Sequence, residues 1–154
     1  TSKFFYSLIA AVVLGSASVC AQEPATVTAP TQSLFKITCE RTGGQQGGTR
    51  DLTVFFQADF LKFQTSSDTT ATYAALRASV SDSLEQLLLQ VPYDTLQKSR
   101  PKPRSWDKPH YALTVTDVTN RSFKIEWWGQ PPRALTDVHM RLSQLVWDYF
   151  SRAF

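Results

Sequence analysis

The chain has 154 residues, 42% apolar and 12% aromatic, with 16 Lys and Arg against 13 Asp and Glu for a formal net charge of +3. That is one domain's worth of sequence, apolar enough to build a core and too mildly basic to argue for nucleic acid. Two cysteines and two histidines without close ligand spacing argue against a zinc centre, and no cofactor motif is present.

The N-terminal segment sets the expected address. Lys3 is followed by the apolar run Phe4-Phe5-Tyr6-Ser7-Leu8-Ile9-Ala10-Ala11-Val12-Val13-Leu14, then by Gly15-Ser16-Ala17-Ser18-Val19-Cys20-Ala21. A positive charge, an apolar stretch and a Val19-x-Ala21 exit predict a secretory signal over 1–21, cleaved after Ala21. The run falls short of the roughly 20 apolar residues of a spanning helix, so no membrane span is expected after cleavage. Lipidation at Cys20 is the minor alternative. The expected localisation is secreted or periplasmic. Residues 22–32, rich in Pro, Thr and Ala, predict a flexible linker, and 33–154 a single domain. Cys39 then has no disulfide partner. Its place beside Phe35 and Ile37 predicts a small buried hydrophobe rather than a reactive thiol.

From Phe35 to Arg41, apolar and polar residues alternate with the period of a half-buried strand. A second strand is expected over 51–57, with Leu52, Val54 and Phe56 on one face, continuing through 60–64 after a bulge at Ala58-Asp59. Between them, Thr42-Gly43-Gly44-Gln45-Gln46-Gly47-Gly48 supplies the positive φ of a hairpin loop. After a polar break at 65–70, Tyr73, Leu76, Val80, Leu84, Leu87, Leu88 and Val91 recur at threes and fours, predicting an amphipathic helix that Pro92 stops. Residues 97–109 carry Lys98, Arg100, Lys102, Arg104 and Lys108 among prolines and predict an extended solvated loop. A second hairpin is expected from 110–117 and 122–128, turned at Asn120, the residue there best able to adopt a left-handed conformation. Pro131-Pro132 opens a last helix with Leu135, Val138, Leu142, Leu145, Val146 and Tyr149 inward. The order ββαββα predicts an α+β fold, a four-stranded antiparallel sheet of two hairpins with two helices on one face.

Catalytic chemistry finds little footing. No nucleophile elbow occurs, and Asp137 and Asp148 lie eleven residues apart on one helix. The glycine run lacks the Lys-Ser/Thr and the helix that a phosphate loop requires. His139 is expected at a helix boundary, hydrogen-bonded or solvated. Trp128 alternates outward with Lys124 and Glu126, where it either anchors a partner or lies against neighbouring chain.

In chain order, Ile37-Thr38-Cys39-Glu40-Arg41-Thr42-Gly43-Gly44, Leu84-Glu85-Gln86-Leu87, Tyr93-Asp94-Thr95-Leu96, Asp107 with Tyr111-Ala112-Leu113-Thr114-Val115, and Pro132 with Leu135 form a pattern. It resembles emfourin, a family of small bacterial inhibitors of thermolysin-like metallopeptidases. Gln45-Gln46 stands where that family usually carries an aromatic-small pair. The resemblance implies a non-enzymatic binding module and protease inhibitor, without cofactor or metal, whose partner is a secreted metallopeptidase. Arg41, Thr42, Gly43, Gly44, Gln45, Gln46, Gly47, Gly48 and Trp128 are the expected partner-binding residues. The alternative is a cell-envelope structural or surface-binding protein held by the basic 98–108 loop.

Overall fold

A computed structural model of the chain describes residues 29–30, 33–45, 47–98 and 107–154. The expected signal segment, most of the 22–32 linker, Gln46 and the 99–106 part of the basic stretch lie outside them.

The α+β class and the antiparallel sheet are as expected; the strand count is not. Among the described residues six strands form one sheet: β1 (Leu34–Thr42), β2 (Thr49–Phe55), β3 (Phe60–Thr65), β4 (Thr72–Ala75), β5 (His110–Asp117) and β6 (Ser122–Trp128). Their spatial order is β4-β3-β2-β1-β5-β6, and every neighbouring pair is antiparallel.

The two additional strands have local causes. Asp59 adopts a left-handed φ of 48°, so residues 56–59 close a tight turn. The chain therefore reverses where a bulged continuation was expected, and Phe55 faces Phe60 across the new pair. Thr72 to Ala75 then pairs with Phe63 to Phe60. Tyr73 belongs to this edge strand, not to a helical stripe. Leu76 lies just beyond it, its N–H donating to the Asp59 carbonyl at 2.8 Å.

Among the described residues three α-helices, rather than two, follow the sheet's inner face. They are α1 (Ala78–Leu89), α2 (Tyr93–Lys98) and α3 (Thr136–Phe150). Pro92 ends the first and precedes the short second. Pro131-Pro132 leads into a 3-10 turn at Arg133–Leu135 before α3 begins. Leu84 and Leu88 of α1 and Val138, Leu142, Leu145 and Val146 of α3 join the inward residues of the strands in one core. Ile37, Cys39, Leu52, Val54, Leu61, Leu113 and Val115 are fully enclosed there. Burial, then the nearby Asp51 and Glu40 carboxylates, push the Cys39 thiol's pKa up, which keeps it protonated and inert.

Phe35 departs from its expected place beside Ile37. The register shifts between Leu34 and Lys36, and this irregularity turns Phe35 outward, 41% exposed, while Leu34 is buried. On the sheet's outer face Glu40, Tyr73, Lys124 and Glu126 are exposed. The β5–β6 turn is as the sequence predicts, with Asn120 left-handed at φ 64°.

Candidate functional site

The 42–48 loop joins β1 to β2, and neither strand lies at a sheet edge: β1 is flanked by β5, and β2 by β3. Both of its legs are thereby held on two sides. The four loop glycines all have positive φ, between 60° and 82°. Gly43 N–H donates to the Gly48 carbonyl and Gly47 N–H to the Gly44 carbonyl, each at 3.0 Å. These bonds tie the described residues of the loop's two legs together, so its base is already bonded in the free protein. Gln45, Gly47 and Gly48 are exposed, while Arg41, Thr42, Gly43 and Gly44 are half-buried.

Two of the glycines are there for room as well as for φ. A Cβ on Gly44 would stand 3.3 Å from Arg41 Nη2 and 3.4 Å from Pro109. Its absence lets the guanidinium tuck beneath the loop. A Cβ on Gly48 would meet Ser66 Oγ at 2.5 Å. That hydroxyl accepts from Thr49 N–H at 3.2 Å and so is not at liberty to swing away.

Residues 41–50 read the same in both directions, Arg-Thr-Gly-Gly-Gln-Gln-Gly-Gly-Thr-Arg. The hairpin register obeys this symmetry, Thr42 facing Thr49 and Arg41 facing Arg50. The register sorts these pairs onto opposite faces of the sheet. On the outer face, Thr49, Thr42, His110 and Trp128 occupy one row. Trp128 therefore shares the loop's end of the sheet, two strands or about 10 Å from Thr42. It is half-buried, with its ring 4.6 Å from that of His110. Glu126 lies 3.8 Å from His110 and 2.8 Å from Lys124, and the Lys124 ammonium bond holds the Glu126 carboxyl below its usual range.

The inner-face row is Arg50, Arg41, Tyr111 and Trp127. Tyr111 stacks on Trp127 at 5.2 Å, and Phe154 comes within 6.2 Å of Tyr111. His139 is not the solvated or hydrogen-bonded boundary residue expected. Its ring stands edge-on to Tyr111 at 4.9 Å and to Trp127 at 5.9 Å, with Nδ1 buried and unpartnered among the described residues. Burial holds its imidazole below the ordinary pKa.

Two hollows flank the loop. One, of about 480 Å³, is lined by Gly48, Arg50, Ser66, Ser67 and Arg152. Arg152 there is bound to Asp68 at 2.9 and 3.1 Å. The other, of about 380 Å³, is lined by Arg41, Gln45, Arg50, Asp107, Pro109 and Phe154. Arg50 donates to the Ala153 carbonyl at 2.7 Å, while Arg41 Nε is buried without a partner among the described residues. Burial and then Arg41 lower the pKa of Arg50.

The sequence reading includes Arg41 and the loop but not Arg50, Ser66 or Arg152. The palindrome announces Arg50. Nothing local announces the others, which the β3–β4 turn and the segment after α3 bring in. Among the described residues no group of three or more His, Cys, Asp or Glu is placed to hold a metal ion. Nor is any helix there long and apolar enough to cross a membrane. No protein-family model, curated protein or solved structure matches the chain.

Proposed function

We propose that the protein is an exported, non-enzymatic binding module that presents the 42–48 loop to a protein partner, a secreted thermolysin-like metallopeptidase. The observation that carries this reading is the placement of a self-bonded, doubly flanked loop and Trp128 at one end of the sheet. A loop whose legs are already bonded to each other in the free protein loses less conformational freedom on docking, and an aromatic beside it supplies apolar contact area. The choice of a metallopeptidase rests on the emfourin resemblance of residues 37–44 and the segments that follow.

The test is residual proteolysis by a thermolysin-like enzyme incubated with the protein at micromolar concentration. Inhibition is expected, and Gly48→Ala should weaken it about tenfold by distorting the loop against Ser66. Undiminished proteolysis at that concentration would refute the inhibitor reading.

A further inference from the structure

The sheet has two edges, and they differ in kind. β4 closes one with four residues, Thr72-Tyr73-Ala74-Ala75, too short to hold a long partner. β6 closes the other with seven, Ser122 to Trp128, and among the described residues no strand pairs with its outer side. An edge of that length presents a row of backbone donors and acceptors, the template onto which another strand adds. Which groups face outward follows from the ends of the β5–β6 pair. Asp117 N–H donates to the Arg121 carbonyl at 2.9 Å and Gly129 N–H to the Pro109 carbonyl at 2.8 Å. Hydrogen-bonded pairs alternate along an antiparallel ladder, so Phe123, Ile125 and Trp127 bond to β5, while Ser122, Lys124, Glu126 and Trp128 turn their backbone groups away from it.

The side chains at those outward positions select the occupant. Lys124 and Glu126 are exposed on the outer face, and the β5 residues opposite them, Thr114 and Ala112, carry no charge. A second β6 laid antiparallel about a two-fold axis at Ile125 sets Lys124 against Glu126 of the other copy, and Glu126 against its Lys124. Both pairs join outward-facing residues, so each exchanges backbone hydrogen bonds and also matches opposite charges. Changing the register by two residues in either direction sets Lys124 against Lys124 or Glu126 against Glu126, like charges directly opposite. A slip of one residue would face outward backbone groups with inward ones. The helices allow the chosen register. Tyr93 of α2 packs on Phe123 with ring centroids 5.7 Å apart, and Phe123 would lie opposite Trp127 of the other copy. The two Phe123 rings, and the α2 helices against them, are then offset by about 13 Å along the strands.

We propose that β6 is the interface of a two-fold homodimer, in which the sheets of two copies of this chain join edge to edge through Lys124 and Glu126. Because β6 runs in opposite directions in the two copies, their 42–48 loops project from opposite ends of the joined sheet. Trp128 faces the small Ser122 of the other copy. The pairing stands independently of the inhibitor reading and leaves both loops open.

Sedimentation equilibrium of the protein and its charge-exchanged variants is the test. An interface of one strand from each copy is small, so a dimer is expected at about 500 µM that dissociates on dilution toward about 5 µM. Glu126→Lys and Lys124→Glu each place like charges opposite one another and should weaken self-association about tenfold. Both side chains are exposed, and unchanged amide dispersion of the core strands reports that the variants are folded. Mixed in equal amounts, the two single variants should associate with each other, and the double variant Lys124→Glu/Glu126→Lys should dimerise like the wild type. The Lys124 and Glu126 backbone amides should exchange more slowly as concentration rises. A monomer at about 500 µM, self-association that either single variant leaves unchanged, or single variants that fail to associate on mixing would each overturn the proposal.

Discussion

His139 is where a single side chain makes the fold sensitive to acid. Its imidazole stands between Tyr111 and Trp127, and no acceptor or acidic group among the described residues bonds its buried Nδ1. Burial lowers its pKa in the folded state, whereas an unfolded chain binds the proton near the ordinary value of about 6.5. As pH falls through that value, the unfolded state takes up the proton first and gains relative to the folded state. The stability contributed by a neutral His139 is therefore fully present above about pH 6.5 and is lost on acidification. Urea denaturation of the wild type and of His139→Phe at about pH 7.5 and about pH 5 should show the larger loss in the wild type. His110 is common to both proteins, so the difference isolates His139. An identical loss in the two would show that His139 binds its proton equally well in both states.

Among elements, the β5–β6 turn shows how one polar residue can fix a connection. Asp117 is 1% exposed and accepts from Thr119 N–H at 2.9 Å, Thr119 Oγ1 at 2.6 Å, Arg121 N–H at 3.1 Å and Arg121 Nε at 3.1 Å. Burial opposes its charge, but these donors and the Arg121 cation outweigh it and hold the carboxyl below its usual range. Asp117→Ala should cost about 2 kcal/mol in urea denaturation and Asp117→Asn about half as much, since an amide keeps one accepting oxygen. A loss within about 0.5 kcal/mol for Asp117→Ala would show that the turn is set by Asn120 alone. Turns of this kind and the strands beside them are legible in sequence, because alternation in 37–41, 51–55, 111–115 and 123–127 comes from one buried face. The strands β3 and β4 are less so. Phe60 to Thr65 follows β2 too closely for its reversal to show without the left-handed Asp59, and Tyr73 and Leu76 fall by chance at helical spacing from Val80. The site divides likewise. The loop and Arg41 are written in consecutive residues, while Ser66 and Arg152 reach it only through tertiary folding.

At the scale of the molecule, one core under one sheet implies that stability decreases from the sheet's centre outward. Central β1 bonds to β2 and β5 along its length, and its Ile37 and Cys39 are fully enclosed. The edge strand β4 has four residues, a single partner strand and a Tyr73 that is 62% exposed. Opening β4 sacrifices few buried contacts, whereas opening β1 divides the core, so the two should report different free energies in hydrogen exchange. The β4 amides should exchange by local fraying, and those of β1 and β5 only through global unfolding, with rates that track urea stability. The binding reading depends on the same gradient. The 42–48 loop grows from the sheet's centre, so its ends are expected to stay fixed while the edge opens, which lowers the ordering needed on docking. Amides of Arg41, Thr42, Thr49 and Arg50 exchanging as fast as those of Thr72 to Ala75 would show that the loop's base opens locally. A loop so hinged would have to be ordered again by each partner, and preorganisation would no longer favour docking.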